Sequence, residues 1–209
     1  MKSRTFFFLA VFLLPLYGLA QTQRKGIYGN IAAGYGTYSL DLYDYAGGNN
    51  SYNDQQFSGP VVSLGIERKS AWVKNQFVFD IGAELTGGFA IKTDSKATSN
   101  IDGKGSGGYL AGIKALFKAG YLFSDKEATA IPLIGLGPYF NYINTGGDNS
   151  VGNYIYGLQA SVGLDLPLKK LSLTPEVHFG LVSWGSSDEM DQNGQPGFFE
   201  IKIKLARKF

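Results

Sequence analysis

Phe199, Ile201, Ile203, Leu205 and Phe209 fall on one parity near the end of this chain, and Glu200, Lys202, Lys204 and Lys208 fall on the other. A repeat of two places alternate side chains on opposite faces of an extended backbone, so the segment reads as a strand with one apolar and one charged face. The same alternation recurs upstream. Phe77, Phe79, Ile81, Ala83, Leu85 and Phe89 oppose Asp80, Gly82, Glu84 and Thr86. Ala111, Ile113, Ala115, Phe117, Ala119 and Tyr121 oppose Gly112, Lys114, Leu116, Lys118 and Gly120. Leu110, Ile113 and Phe117 also sketch a helical stripe, but the period-2 match is longer and glycine is frequent, which favours a strand. In all, the pattern predicts eight strands, at about 26–38, 57–68, 76–90, 109–123, 130–143, 154–166, 171–182 and 198–209. The fifth carries apolar residues on both parities and contains Pro132 and Pro138. Proline removes a ladder donor, so a bulge or local distortion is expected there.

The intervals between these strands alternate in length. Residues 39–56, 91–108, 144–153 and 183–197 form long ones, and 69–75, 124–129 and 167–170 form short ones. This alternation belongs to an up-and-down antiparallel barrel with long loops at one end and tight turns at the other. The expected fold is therefore all-β, an eight-stranded antiparallel up-and-down transmembrane β-barrel. Past the first 20 residues no apolar run is long enough for a membrane helix, and without one only a closed barrel satisfies every backbone group in lipid. Alternation alone does not say which face is inside, because a soluble lipocalin-like barrel alternates too. Aromatic residues at predicted strand ends (Tyr28, Tyr109, Tyr121, Phe123, Tyr154 and Phe198) stand where interfacial girdles lie and favour apolar-outward.

The N-terminus changes the compartment. Lys2 and Arg4 precede an apolar stretch over 6–16, and Gly18 and Ala20 occupy small-residue positions before Gln21. This reads as a cleaved signal peptide over 1–20, with the barrel domain over 21–209; an uncleaved anchor is the alternative. The chain has no cysteine, so neither a lipid-anchored N-terminus nor a disulfide framework is available. Loss of the signal takes Lys+Arg from 19 to 17 against 17 Asp+Glu. A formally neutral chain without a basic cluster has no electrostatic case for nucleic acid.

A terminal amphipathic strand ending on Phe209 resembles the strand by which outer-membrane barrels are recognised for insertion. With these patterns, the chain is similar to the small outer-membrane barrels typified by the membrane domain of outer-membrane protein A and by outer-membrane protein X. Its glycine- and tyrosine-rich style resembles the outer-membrane β-barrel family of Bacteroidetes. The resemblance covers the whole segment after the signal and implies an outer-membrane location. It implies contact with outer-membrane lipid and lipopolysaccharide and with the insertion machinery. Arg207 departs from the pattern by standing on the apolar parity two residues before Phe209.

Candidate chemistry lies on the polar parities. Asp80, Glu84, Lys114, Lys118, Glu176, His178, Glu200, Lys202 and Lys204 are expected to face the lumen. An eight-stranded barrel is just wide enough for side chains to fill, and enclosed charges must pair or stay hydrated. Counted from the turn ends, Asp80 matches Lys118, Glu84 matches Lys114, and Glu176 lies opposite Lys202 or Lys204. The expectation is a charged structural plug; a narrow ion path is the alternative. His178 is the sole histidine. Some barrels of this kind deacylate lipid A with a His-x-Ser pair, but Gly180 stands where the serine belongs, leaving only Glu176 and Ser183 as partners. One histidine and no cysteine leave no transition-metal cluster. Glu189, Asp191, Asn193, Gly194 and Glu200 are spaced like a calcium loop, but no helices flank them and Pro196 intervenes. Gly34 and Gly36 are expected to serve packing, because no helix follows to make a phosphate cradle. The first loop, with Tyr38, Asp41, Tyr43, Asp44, Tyr45, Asn49 and Tyr52, is a candidate surface for an extracellular ligand. The expected role is thus non-enzymatic and without cofactor: a structural or envelope-interacting barrel, with a narrow channel or lipid A-modifying enzyme as alternatives.

Overall fold

The computed structural model describes residues 24–44, 51–74, 76–97, 103–123, 130–144, 152–168, 170–187, 190–194 and 197–209. The signal-peptide reading over 1–20 lies outside them. Nine strands follow in chain order: β1 (Gly26–Asp44), β2 (Ser51–Lys74), β3 (Phe77–Ala97), β4 (Gly103–Tyr121), β5 (Ile131–Asn144), β6 (Gly152–Leu168), β7 (Leu171–Ser187), β8 (Met190–Gly194) and β9 (Gly197–Lys208). From β1 to β7 each strand pairs antiparallel with the next. β9 pairs with both β7 and β1, which closes the ring. The fold is a closed, eight-stranded antiparallel barrel, and the short β8 bridges β7 and β1 above the ring. One end holds Arg24, Phe209 and the β2–β3, β4–β5 and β6–β7 connections; β8 and the β1–β2, β3–β4 and β5–β6 hairpin ends lie at the other.

Several strands outrun their predicted limits. β2 is 24 residues long and β3 is 21, so much of the expected loops over 39–56 and 91–108 is ladder. A polar, glycine-rich stretch reads as loop by composition, yet two such stretches in register satisfy each other's backbone groups.

Parity sorts the side chains as a membrane barrel does. Leu64, Phe117 and Ile134 point outward and are 61%, 59% and 67% exposed, while Lys204 and Glu200 point inward and are fully buried. A soluble barrel would have these faces reversed. Aromatic ladders mark both margins of the apolar surface, although Tyr28 and Phe198, expected in those girdles, stand on the inward parity and are buried in the lumen instead. Tyr109, Tyr142, Tyr154, Phe140, Tyr156 and Trp184 form successive ring pairs at the β8 end. At the other end Trp72 meets Phe79, and Tyr121 meets Phe77 and Phe123. On β4 the margins at Tyr109 and Tyr121 are twelve residues apart. At ~3.4 Å per residue and a tilt of about 40° that spans roughly 30 Å, the thickness of a hydrocarbon core.

Register shifts fall between Ser58 and Val61, Arg68 and Trp72, Gly88 and Ile91, Ile91 and Thr93, and Leu158 and Gln159. The second and third contain Ser70 and Ala90, both at positive φ (48° and 52°). At the prolines of β5 no bulge forms, but the expected local distortion does at Pro138, as a gap in the ladder to β4. β5 keeps one register along β6 from Ile131 to Asn144, and the pairing to β4 only skips Gly137 and Pro138 before resuming in the same register. Pro138 points outward, and Gly137 lets the β4 backbone come so close that a Cβ there would lie 2.0 Å from the Ala115 carbonyl. β5 is apolar on both faces because its inward residues Ile131, Leu133 and Ile143 belong to two lumenal apolar clusters.

Candidate functional site: a charged lumen between two seals

The inward parity stacks two kinds of layer, apolar and ionic. Near the β8 end, Tyr38, Leu40, Phe57, Ile91, Leu110, Tyr139, Ile143, Ile155 and Phe198 form a buried apolar cluster drawn from seven strands. Phe198 stacks on Tyr38 and packs at 4.5 Å against Tyr139. Below it lie the charges. Among the described residues six cations (Arg24, Lys69, Lys114, Lys118, Lys202 and Lys204) face six anions (Glu67, Asp80, Glu84, Asp165, Glu176 and Glu200), all buried.

The uppermost ionic group hangs from the apolar cluster. The Tyr38 hydroxyl donates to Glu200 Oε1 at 2.6 Å, and Lys114 donates to the same oxygen. The Lys114 ammonium also stands 5.0 Å from the Phe198 ring centre, a cation–π contact that joins seal to network. Lys202 reaches Glu84 Oε2 at 2.8 Å and Glu200 at 3.7 Å. In the middle, Lys204 contacts Glu67 (2.8 Å), Glu176 (3.3 Å) and Glu84 (3.8 Å). Lys118 contacts Glu176 at 2.9 Å and Glu67 at 4.0 Å. His178 lies among them, Nε2 at 3.1 Å from Glu176 and Nδ1 at 3.3 Å from Gln159.

The last group closes the other mouth. Arg24, just before β1, turns into the barrel. Its two terminal nitrogens grip both Asp80 oxygens at 2.8 and 2.6 Å, and its Nε donates to Asp165 at 2.9 Å. Burial opposes the Arg24 charge, but Asp165 and Asp80 hold the guanidinium protonated above its already high ordinary value. Asp165 also accepts from Lys69 (2.7 Å), Ser172 and Thr174. The Ser70 bulge has a direct use: its N–H donates to Asp80 at 2.7 Å and its hydroxyl accepts from Arg24 at 3.0 Å. A non-glycine residue at positive φ costs about 1–3 kcal/mol, here offset by a charge-assisted hydrogen bond.

All nine candidate residues (Asp80, Glu84, Lys114, Lys118, Glu176, His178, Glu200, Lys202 and Lys204) lie in this lumen. The expected heights hold, since Asp80 registers with Lys118 and Glu84 with Lys114. Of the expected partnerships, Glu176 with Lys204 holds at 3.3 Å, but the two between β3 and β4 do not. Asp80 is taken by Arg24, Glu84 by Lys202, Lys114 by Glu200 and Lys118 by Glu176. Lateral neighbours share a height, but long side chains in a narrow barrel reach across to other strands. Four members of the network were not among the candidates. Glu67 and Lys69 continue the inward parity of Ser63, and Asp165 that of Gln159 and Ser161, so alternation contained their signal. Arg24 precedes the strand and has no periodic signature.

His178 is enclosed in the lumen, and the Ser183 hydroxyl is engaged by Tyr139 at 2.5 Å. These residues therefore do not form a lipid-facing nucleophile and base. Glu200 is spent on Lys114 and Tyr38, which takes away the twelfth position of the calcium-like spacing; Glu189 lies outside the described residues. Gly34 serves packing: a Cβ there would lie 1.9 Å from the Ile201 carbonyl across the β1–β9 seam.

No family model and no curated protein matches the sequence. Solved structures do match the fold. The outer membrane protein OprG from Pseudomonas aeruginosa is 16% identical with a TM-score of 0.58, covering 91% of this chain and 99% of that one. Neisserial surface protein A is 14% identical with a TM-score of 0.48, covering 88% and 98%. Ail of Yersinia pestis, solved with the heparin analogue sucrose octasulfate, is 10% identical with a TM-score of 0.47, covering 88% and 99%. The fold is that of a small eight-stranded outer-membrane β-barrel.

Proposed function

We propose that this chain is an integral outer-membrane protein whose closed barrel serves as a non-conducting, non-enzymatic anchor for its long hairpins, through which it takes part in envelope or surface interactions. The observation that carries this reading is the filling of the lumen. An apolar cluster lies across one end, the Arg24 group across the other, and balanced ion pairs fill the space between. A permeating ion would have to break several buried pairs at once, and each broken pair leaves an uncompensated charge. With the interior filled, the surface left for recognition is the hairpin ends beyond the β4–β7 aromatic margin. Loops carried on a rigid scaffold are where recognition is usually placed.

Two measurements test the proposal. Full-length protein expressed with its leader should co-fractionate with outer-membrane markers on a density gradient and show heat-modifiable gel mobility. Refolded into planar bilayers, it should give no unitary conductance. A conductance that changes with Glu84→Gln or Lys114→Met would replace the anchor by a narrow channel. Lipid A whose mass changes on expression would restore the enzymatic alternative.

A further inference from the structure

The outward parity carries its own charge pattern, and it is one-sided. At the end holding Arg24 and Phe209, Lys25, Arg68, Lys74, Lys170 and Arg207 are all exposed. They form an arc across the β7 turn, β9, β1 and β2. Among the described residues none of these five has an acidic partner within salt-bridge distance. The acidic residues described at this end, Glu67, Asp80 and Asp165, all point into the lumen and are spent on internal cations.

Two of the five sit at a particular depth. Arg68 is the next outward residue after Leu64 and Ile66 on β2, and Arg207 follows Ile203 and Leu205 on β9. Both arginines thus stand on the outward face just inside the margin at this end, Arg68 before the exposed Trp72 and Val73 on β2 and Arg207 before the exposed Phe209. They flank β1, where Gly29 registers with Arg207 and Ile27 with Arg68. With strands ~4.8 Å apart and the two positions offset by two residues along β1, their Cα atoms are roughly 12 Å apart, within reach of two arginine side chains converging on one group. The side chains on the floor between them are apolar, and the Phe209 α-carboxylate is, among the described residues, the one outward anion beside them. The Phe209 N–H donates to the Ile27 carbonyl, and the Phe209 ring lies where a Gly29 side chain would project, 2.8 Å from an ideal Cβ.

We propose that Arg68 and Arg207, with the Phe209–Gly29 floor between them, form a binding site for the headgroup of an anionic phospholipid in the leaflet at this end of the barrel. The chemistry is a phosphodiester held by one or both guanidinium forks, with acyl chains lying on Phe209, Ile27 and Ile66. An aqueous anion has no use for an apolar floor, and a zwitterionic lipid brings a cation that the surrounding lysines repel. Arg207, the departure from an ideal terminal strand, acquires a role in this arrangement. The proposal rests on the membrane reading above.

The test uses the full chain folded into vesicles of phosphatidylcholine with and without phosphatidylglycerol, then extracted for native mass spectrometry. The expected result is retention of phosphatidylglycerol over phosphatidylcholine, lost in the Arg68→Gln/Arg207→Gln double variant. The loss should be about fivefold per arginine, hence about 25-fold for both. The Arg68→Lys/Arg207→Lys variant should keep part of the preference, and Lys92→Gln, exposed near the opposite end, should keep all of it. Equal retention of both lipids by a folded, inserted wild type overturns the proposal alone, as does an unchanged preference in the double glutamine variant. Displacement of phosphatidylglycerol by inorganic phosphate overturns it in favour of a free-anion site. Failure to insert into either vesicle overturns the membrane reading and this proposal with it.

Discussion

Arg24→Met removes a charge while keeping a side chain of similar length, and the structure says where the cost falls. Asp165 keeps Lys69, Ser172 and Thr174 when the guanidinium goes. Asp80 loses a two-pronged ion pair and, among the described residues, keeps the Ser70 N–H alone. The variant thus strands one buried carboxylate rather than two. Stranding a buried charge costs about 3–5 kcal/mol, and the position beside the barrel mouth, where water can reach, argues for the lower bound, about 3 kcal/mol. Adding Asp80→Asn removes the stranded charge, so the double variant should regain most of the loss. The assay is urea unfolding of the vesicle-folded protein, followed by fluorescence. The chain has two tryptophans, Trp72 near the Arg24 end and Trp184 near the β8 end, so one titration watches both ends. Lys25→Gln, one residue away and exposed, is the control and should stay within about 0.5 kcal/mol of wild type. If Arg24→Met behaves like that control, or if the losses from Arg24→Met and Asp80→Asn simply add, the mouth is not held as described.

Charge exchange separates cross-lumen from lateral pairing. Glu84→Lys/Lys202→Glu should recover stability lost in either single change, whereas Glu84→Lys/Lys114→Glu should recover little; the reverse order in urea midpoints would reinstate the lateral pairs. Tyr38→Phe leaves Glu200 with one donor fewer and should cost about 1.5–3 kcal/mol, the usual worth of a hydrogen bond to a charged group, so an unchanged midpoint would show that bond to be idle. Gly34→Ala drives a methyl into the Ile201 carbonyl at the closing seam. Its heat-modifiable fraction after refolding should fall well below wild type, and a wild-type yield would mean that β9 shifts to accommodate it.

The inward charges were legible because alternation is local: from Glu84 or Lys204 two residues either way suffice to assign a face. Their partners were not, because Glu84 and Lys202 are 118 positions apart and meet only after eight strands close into a ring. The fifth strand was ambiguous for a related reason. Its inward apolar residues look misplaced until the lumen is seen to change from ionic to apolar along its length. Arg24 illustrates a third limit, since a residue outside a strand takes its direction from the turn of the chain that brings it into the barrel, and alternation does not record that turn.

Strand number, antiparallel order and the apolar and polar faces are properties of short windows, and the residue order alone carried them. Which face points inward is a question about the solvent. The alternation favoured apolar-outward through the placement of its aromatics, and the exposed leucines and buried lysines of the closed barrel decided it. The ion-pair scheme, the Ser70 bulge that feeds Asp80 and the Arg68–Arg207 pair on either side of β1 came only with closure. Each depends on strands remote in the chain being held a side chain's length apart, and that distance is set by barrel circumference rather than by neighbouring residues.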